Sequence, residues 1–278
     1  MTAEVTLSEK AVDTTADTAV KLPVENVPVE SNRTNAAEVT VKLPAGVSEA
    51  KVEVPLADAT AGTVAIMVNP DGTETVIRDA VADNGAMALT VADGTTVKFV
   101  DNSKSFDDVA DNDWYNSAVD FASSHQLFNG TTETSFSPNV TMTRGMLAVV
   151  LHNLENNPEG AANAEFSDVG TDYYANAVDW AAEEGIISGY GDGNFGPNDS
   201  ITREQLAVML YRYAGSPATD TSLNFSDAAQ INGYASKAVS WAVENGIISG
   251  RDTGELDPQG NATRAEVASM LMRFCKAN

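Results

Sequence analysis

Three arginines stand at equivalent places in the chain, each where a helix should begin. They follow a threonine and open an apolar run: Thr143-Arg144 in MTRGMLAVVL, Thr202-Arg203 in ITREQLAVML and Thr263-Arg264 in ATRAEVASML. The threonine reads as an N-cap, which puts the arginine in the first helical turn, where the macrodipole disfavours a cation by about a few tenths of a kcal/mol. Between Ser105 and Glu159, Arg144 is the only Lys or Arg. A guanidinium beside unpaired first-turn N–H groups makes an anion site, since both donate toward one oxyanion. The sequence supports two sources for that anion. One is internal, because Asp108, Asp168 and Asp227 also recur and would bridge to the arginine of a neighbouring repeat. The other is a carboxylate or similar acid on a ligand, and on that reading each arginine is expected to be mostly exposed.

Aromatic residues recur nearby. Trp114, Tyr173 and Tyr234 each lie four residues before a shared alanine (Ala118, Ala177, Ala238). They fall at the mouth of a helix, where an amphipathic ring can stack on a sugar face or pack into a core, and the sequence leaves both open. Phe106, Phe166 and Phe225, like Phe121, Trp180 and Trp241, are expected in the core. Thr202 with Gln205 and Thr263 with Glu266 match the capping box, so capping alone accounts for them.

Other chemistries find less support. Glycoside hydrolysis needs two carboxylates, and Asp120 and Asp179 become Ser240 in the third copy, so no second acid recurs opposite the first. There is no Ser-His-Asp arrangement, and GYGDGNFG follows a helix rather than a strand, unlike a phosphate loop. The EF-hand spacing is missing around Asp192-Gly193-Asn194. With one cysteine, Cys275, no intrachain disulfide forms, and His125 and His152 have no metal-ligand spacing, so both are read as surface or packing residues. No cofactor, no metal and no enzymatic activity are expected.

The elements that position these residues come in two grammars. From Ser105 onward three copies of a helix, turn, loop and helix follow one another. They open FDDVADNDWYNSAVDFA, FSDVGTDYYANAVDWA and FSDAAQINGYASKAVSWA; 14 residues separate Gly130 from Arg144, Gly189 from Arg203 and Gly250 from Arg264. Each loop holds a proline (Pro138, Pro197, Pro258), and polar linkers ENNPEGAANA and GSPATDTSLN join the copies. Gly185 and Gly246 read as C-caps of the first helices, where the first copy has Gln126. In the second helix Leu206, Met209, Leu210 and Tyr213 share a face. One helix pair is too small to bury its stripe, so the copies are expected to share a core.

Residues 35–104 read as a small all-β, sandwich-like domain of about six short strands. Two hairpins are expected, GTVAIMV with TETVIR around Asn69-Pro70-Asp71-Gly72, and MALTV with TVKFV around Ala92-Asp93-Gly94. Residues 1–34 are either an extended edge strand or a linker. The chain of 278 residues carries 40 acidic against 16 basic side chains, a formal charge of −24. Such a surface repels nucleic acid and anionic membranes, and no run approaches the length of a membrane span, so neither nucleic acid binding nor membrane insertion is expected.

The stretch FSDV…AVDWAAEEGIISGYGDGNFGPNDSITREQLAVMLYR closely resembles the S-layer homology domain, and three copies at 105–160, 161–220 and 221–278 resemble its usual triplet. The resemblance implies an all-α pseudo-threefold bundle whose inter-repeat grooves bind secondary cell wall polysaccharide, often through a pyruvylated, carboxylate-bearing amino sugar. Position by position it implies Arg144, Arg203 and Arg264, with Asp108, Asp168 and Asp227, as binding residues, and Trp114, Tyr173 and Tyr234 as stacking partners. Copy one departs from the pattern: it reads T-R-G-M, with Gly145 inside the helix at a cost of about 1 kcal/mol against alanine, and its loop GTTETSFSP lacks Y-x-D-G. Copy three has Ala228 in place of valine and RDTGELDP as its loop. The function implied is non-covalent anchoring of a surface protein to a Gram-positive-type cell wall, outside the cell. The alternatives are a structural S-layer or adhesin subunit whose β-domain makes lateral or host contacts, self-association included, and a fragment of a wall-anchored glycan-active enzyme. An exported anchor also implies a longer precursor with a signal peptide that MTAEVTLSEK does not supply.

Overall fold

The computed structural model describes residues 2–7, 19–160, 166–220 and 222–277. Part of the N-terminal stretch expected as edge strand or linker, 8–18, lies outside the described residues, as do 161–165 and 221 in the polar linkers. The chain forms two compact units, one of residues 1–105 with 116–126 and one of 106–115 with 127–278.

In the first unit the described residues form ten strands: β1 (Thr2–Thr6), β2 (Val20–Lys21), β3 (Val27–Pro28), β4 (Glu38–Lys42), β5 (Glu49–Ala57), β6 (Thr63–Val68), β7 (Glu74–Ile77), β8 (Ala82–Asp83), β9 (Ala86–Ala92) and β10 (Thr96–Asp101). One sheet runs β1-β4-β10-β6-β7 and the other β2-β5-β9-β8, with β3 also on β5. The alternation read in the sequence sends Val39 and Val41, Val52 and Val54, Met87 and Leu89, and Val97 and Phe99 into a single core shared by both sheets. β1 pairs in parallel with β4, so Thr2–Thr6 is an edge strand.

The hairpin β6–β7 forms as expected, closed by the Asn69 N–H on the Thr73 carbonyl at 2.8 Å. The second expected hairpin does not. β9 pairs with β5 and β8 in one sheet, whereas β10 pairs with β4 and β6 in the other. The turn between them crosses from sheet to sheet, pinned by the Gly94 N–H on the Val41 carbonyl at 2.8 Å and by Asp93 accepting the Leu43 N–H at 2.8 Å. Alternating residues on either side of a glycine turn are equally compatible with both outcomes, so local pattern could not separate them.

Helix α1 (Asn116–Ser124) belongs to this unit. Its Asp120 accepts from Ser103 Oγ and the Lys104 N–H, each at 3.1 Å. Just beyond its end His125 is fully buried, with Nε2 2.9 Å from the Ala80 carbonyl and its ring against Phe121.

The second unit holds α2 (Arg144–Leu154), α3 (Ala175–Glu183), α4 (Arg203–Tyr213), α5 (Ser236–Glu244) and α6 (Arg264–Ala277). Of the face read from the second helix of repeat 2, Leu206, Met209 and Leu210 are buried and Tyr213 is half-buried; Leu147 and Leu151, Val178 and Trp180, Val239 and Trp241, and Val267 and Leu271 are buried as well. Thr143, Thr202 and Thr263 cap α2, α4 and α6 as expected, with full capping boxes at Gln205 and Glu266.

Immediately before those caps the three repeats join through a closed cycle of backbone hydrogen bonds. Met142 N–H donates to Ala262 O at 3.0 Å, Ala262 N–H to Ile201 O at 2.9 Å, and Ile201 N–H to Met142 O at 2.9 Å. These are equivalent positions in the three copies, so the unit has the threefold relation that its repeats imply. Gly145 is explained by the same packing. A Cβ there would lie 2.9 Å from the Pro197 carbonyl and 3.2 Å from the Tyr174 ring, closer than van der Waals contact allows. Close approach of the neighbouring repeat, and no special backbone angle, requires the glycine.

Candidate functional site

The three arginines are not exposed. Arg144, Arg203 and Arg264 are 6%, 4% and 7% accessible, which overturns the expectation of cations standing free at helix starts. Each reaches from its own repeat into the loop of another, and the pattern closes on itself. Arg144 Nε and Nη2 donate to Phe195 O and Ser188 O at 2.9 and 3.0 Å. Arg203 makes the same pair with Leu256 O and Ser249 O, both at 2.9 Å, and Arg264 with Phe136 O and Asn129 O at 2.7 and 2.6 Å. Burial pulls the pKa of each guanidinium down, yet arginine stays charged so far above neutrality. The positive charge is therefore satisfied by carbonyl dipoles, at Arg203 also by the Glu266 carboxylate 3.0 Å from Nη1, and at Arg144 and Arg264 also by ring faces: Tyr190 and Phe195 lie 4.7 and 4.5 Å from the first, Phe128 and Phe136 5.2 and 4.6 Å from the second.

The first-turn N–H groups are likewise taken. Arg144 and Gly145 donate to Asp199 O and Pro197 O, Arg203 and Glu204 to Gly260 O and Pro258 O, Arg264 and Ala265 to Val140 O and Pro138 O, at 2.9 to 3.0 Å. The recurring prolines thus present carbonyls to the next helix. The expected cradle of free N–H groups does not exist, because the neighbouring repeat fills it.

Nor do the aspartates bridge to the arginines directly. Asp168 accepts the N–H groups of Phe195 and Gly196 at 2.9 and 2.8 Å, Asp227 those of Leu256 and Asp257 at 2.9 and 2.7 Å, and Asp108 those of Phe136 and Ser137 at 2.7 and 2.8 Å. They fasten the loop of their own repeat. Burial opposes the charge on Asp168 and Asp227, but the two N–H donors and the nearby arginine outweigh it, so both carboxyls sit below their ordinary pKa. The recurring loop glycines have a matching cause: a Cβ on Gly189 would meet the Phe166 ring at 2.7 Å.

The aromatics behave in the opposite way. Trp114, Tyr173 and Tyr234 are 66%, 68% and 60% accessible, among the most exposed large apolar side chains described. Core packing, the competing account, is thereby excluded for them.

Two grooves bring these groups together. The first, of about 410 Å³, is lined by Arg144 from repeat 1, Ser188, Tyr190, Gln205 and Arg212 from repeat 2, and Tyr234 from repeat 3. The second, of about 460 Å³, repeats the plan one step round, with Arg203 from repeat 2, Ser249, Arg251, Glu266 and Arg273 from repeat 3, and Trp114 from repeat 1. In each a second arginine, Arg212 or Arg273, donates to the loop serine hydroxyl at 3.0 or 3.2 Å. The third position of the cycle, with Arg264, has Asn153 at the place of that arginine, and its amide turns to Leu127 O at 2.8 Å. Tyr173 is the aromatic that the cycle assigns to it.

Sequence reasoning missed Arg212, Arg273, Tyr190, Arg251 and the groove-facing role of Gln205 and Glu266. The signal was present: arginine recurs nine residues after Arg203 and Arg264 and is replaced by asparagine after Arg144. Glu204 was missed too. It is buried and accepts from the Asn232 N–H and Nδ2 at 3.0 and 2.6 Å and from the Tyr234 hydroxyl at 2.9 Å; burial and that acceptor push the Tyr234 pKa up to about 12. This fixes the ring of Tyr234 at the rim of the first groove.

Among the described residues no three His, Cys, Asp or Glu side chains cluster as a metal site, and no helix is long and apolar enough to cross a membrane.

Compared with known proteins, residues 105–145, 165–207 and 224–268 match the S-layer homology domain. The chain is similar to an amylopullulanase of Thermoanaerobacterium thermosulfurigenes, 34% identical over 198 residues covering 68% of this chain and 10% of that protein. It is similar to exoglucanase XynX of Acetivibrio thermocellus, 37% identical over 175 residues, 61% of this chain and 16% of the relative. S-layer protein EA1 of Bacillus anthracis is 31% identical over 134 residues, 48% of this chain and 15% of its own length. The chain therefore spans only a small part of each of these curated relatives.

Proposed function

Because residues 105–268 carry three S-layer homology domains, we propose that this chain anchors the protein bearing it to a bacterial cell wall, non-covalently and without catalysis. It does so outside the cell, by holding a carboxylate-bearing secondary cell wall polysaccharide in the grooves between repeats. The observation that carries this reading is the composition of the grooves: two arginines in the first and three, beside Asp252 and Glu266, in the second, each with a serine hydroxyl and an exposed aromatic, drawn from three different repeats. Ring faces stack on sugars, guanidinium forks recognise carboxylates, and 410 to 460 Å³ suits a sugar or two. The relatives share this region while differing in their named activities, as expected of an attachment module.

The test is sedimentation of the protein with purified wall sacculi, before and after the non-peptidoglycan polymer is extracted. Binding to intact sacculi is expected, with loss on extraction and in a Trp114→Ala, Tyr173→Ala, Tyr234→Ala variant. Equal binding to stripped sacculi would sink the reading.

A second reading, favoured by the separate β core and by S-layer proteins among the relatives, gives the first unit lateral or host contacts in a surface lattice, self-association included. Sedimentation velocity of the whole chain checks it; a monomer at every concentration argues against it. The glycosidase relatives likewise support a third arrangement, in which the chain is the anchor of a glycan-active enzyme.

A further inference from the structure

The three junctions between repeats share their backbone hydrogen bonds but not their side chains. Each junction sets the residue after a helix-start arginine beside the first loop of the next repeat. Between repeats 1 and 2 the helix residue is Gly145, and the loop brings Tyr174 against it: a Cβ on Gly145 would lie 3.2 Å from the ring. The Tyr174 hydroxyl donates to Asp172 of its own loop at 2.8 Å. Between repeats 3 and 1 the equivalent residues are Ala265 on the helix and Tyr115 on the loop, and Asp113 again takes the tyrosine hydroxyl. Both junctions thus combine a small helix residue with a tyrosine and an aspartate on the loop.

Between repeats 2 and 3 all of these residues change together. The helix carries Glu204 in place of the small residue, while the loop carries Ala235 in place of the tyrosine and Gly233 in place of the aspartate. Neither backbone nor crowding requires that glycine, since Gly233 has no left-handed φ and a Cβ there would meet nothing within 4 Å. Its effect is to leave a carboxylate out of the loop. Glu204 brings one from the other side of the junction. It is 1% accessible and accepts from the Asn232 N–H and Nδ2 at 3.0 and 2.6 Å and from the Tyr234 hydroxyl at 2.9 Å. A buried charge is tolerated only where donors meet it, and these three all belong to the third repeat. The loop of repeat 2 would instead offer Thr171 at the place of Asn232 and the like charge of Asp172 at the place of Gly233; the loop of repeat 1 would offer Asp113, with Trp114 where Tyr234 stands.

We infer that Glu204, Gly233 and Ala235 form a recognition key between repeats: the carboxylate supplied across the junction replaces the one missing from the third loop, so the Glu204 helix accepts the face of repeat 3 and rejects the faces of repeats 1 and 2. The closed cycle of backbone hydrogen bonds is the same at every junction and cannot tell one repeat from another. Side chains that fit one neighbour and repel the others supply that discrimination. The key fixes the order of the repeats around the threefold and disfavours rings in which a repeat 1 or 2 of a second copy takes the place of repeat 3.

A double-mutant cycle across the junction tests this in the whole chain, with urea unfolding followed by tryptophan fluorescence; Trp114, Trp180 and Trp241 all lie in the second unit. Gly233→Asp with Ala235→Tyr gives the third loop the face of the second, the situation a change of order would create. Glu204→Ala gives the helix the small residue found at Ala265. Each side changed alone is expected to lower the unfolding midpoint, the loop by crowding and by a second carboxylate beside Glu204, the helix by stranding Asn232 and Tyr234. Changed together, they are expected to regain at least about half of the midpoint lost by the loop change alone. Losses that simply add overturn the inference. Should the loop variant not fold, recovery of folding on adding Glu204→Ala supports the key, and its absence overturns it. Glu204→Gln keeps the volume and removes the charge; it is expected to lower the midpoint, and a wild-type midpoint overturns the part given to the carboxylate.

Discussion

Asp168 and Arg144, from consecutive repeats, hold one residue between them: Asp168 accepts the N–H of Phe195 at 2.9 Å, and Arg144 Nε donates to the Phe195 carbonyl at 2.9 Å. Leu256 is held in the same way by Asp227 and Arg203, and Phe136 by Asp108 and Arg264. The internal salt bridge weighed in the sequence is thus replaced by one residue's backbone interposed between the charges, its N–H on the aspartate and its C=O on the arginine.

This geometry makes Arg144→Ala a folding variant before it is a binding variant. Removing the guanidinium strands two carbonyls, Phe195 O and Ser188 O, at about 1–3 kcal/mol each where water cannot replace the donor. Urea unfolding is expected to show a loss of about 3 kcal/mol, with Arg144→Lys recovering little because an ammonium cannot span both oxygens. An unchanged midpoint would refute the gripping role.

Gly145→Ala should destabilise, although alanine is the better helix former by about 1 kcal/mol. Its Cβ would press on the Pro197 carbonyl at 2.9 Å and on the Tyr174 ring, an overpacking cost of about 1–3 kcal/mol. A higher melting temperature for the variant would mean that the neighbouring repeat yields.

Gln126→Gly should stabilise. Gln126 follows α1 with φ +60, the conformation that Gly185 and Gly246 supply at the equivalent places with φ +70 and +67. Relief of the left-handed strain is worth about 1 kcal/mol, partly offset by the Arg78 contact to its side chain at 3.4 Å. Thermal unfolding measures the difference.

His125 makes the first unit sensitive to mild acid. Burial holds its pKa down to about 4 against 6.5 for a free side chain, despite the carbonyls of Phe121 and Ala80 at its two nitrogens. The folded imidazole stays neutral while the unfolded one takes a proton below 6.5. Stability is therefore expected to fall as pH drops from 6.5 toward about 4, by about 3 kcal/mol in all, and this contribution is level outside that window. Scanning calorimetry across that range should show the slope, and His125→Gln should flatten it.

Where function resides in recurrence, the sequence was legible. Repeats, caps, the apolar stripes and the recurring Arg144, Arg203 and Arg264 were readable, because each copy checks the others. Burial of Arg144, Arg203 and Arg264 was not, since a helix start looks alike whether its N–H groups meet water or a neighbour's proline carbonyl. The exposure of Trp114, Tyr173 and Tyr234 was equally hidden, as an aromatic at a helix mouth suits core or rim. In the β unit the alternation gave the strands but not the partners, and β9 and β10 parted into different sheets because pairing is decided by strands distant in sequence.

The cycle of hydrogen bonds through Met142, Ile201 and Ala262 has a mechanical consequence. Tension applied to repeat 1 is borne at once by repeat 3, through Met142 on Ala262 and Arg264 on Asn129, as well as by repeat 2. Such an assembly cannot be unzipped one repeat after another from an end. Under the drag that flow exerts on a cell, it yields as a whole or holds.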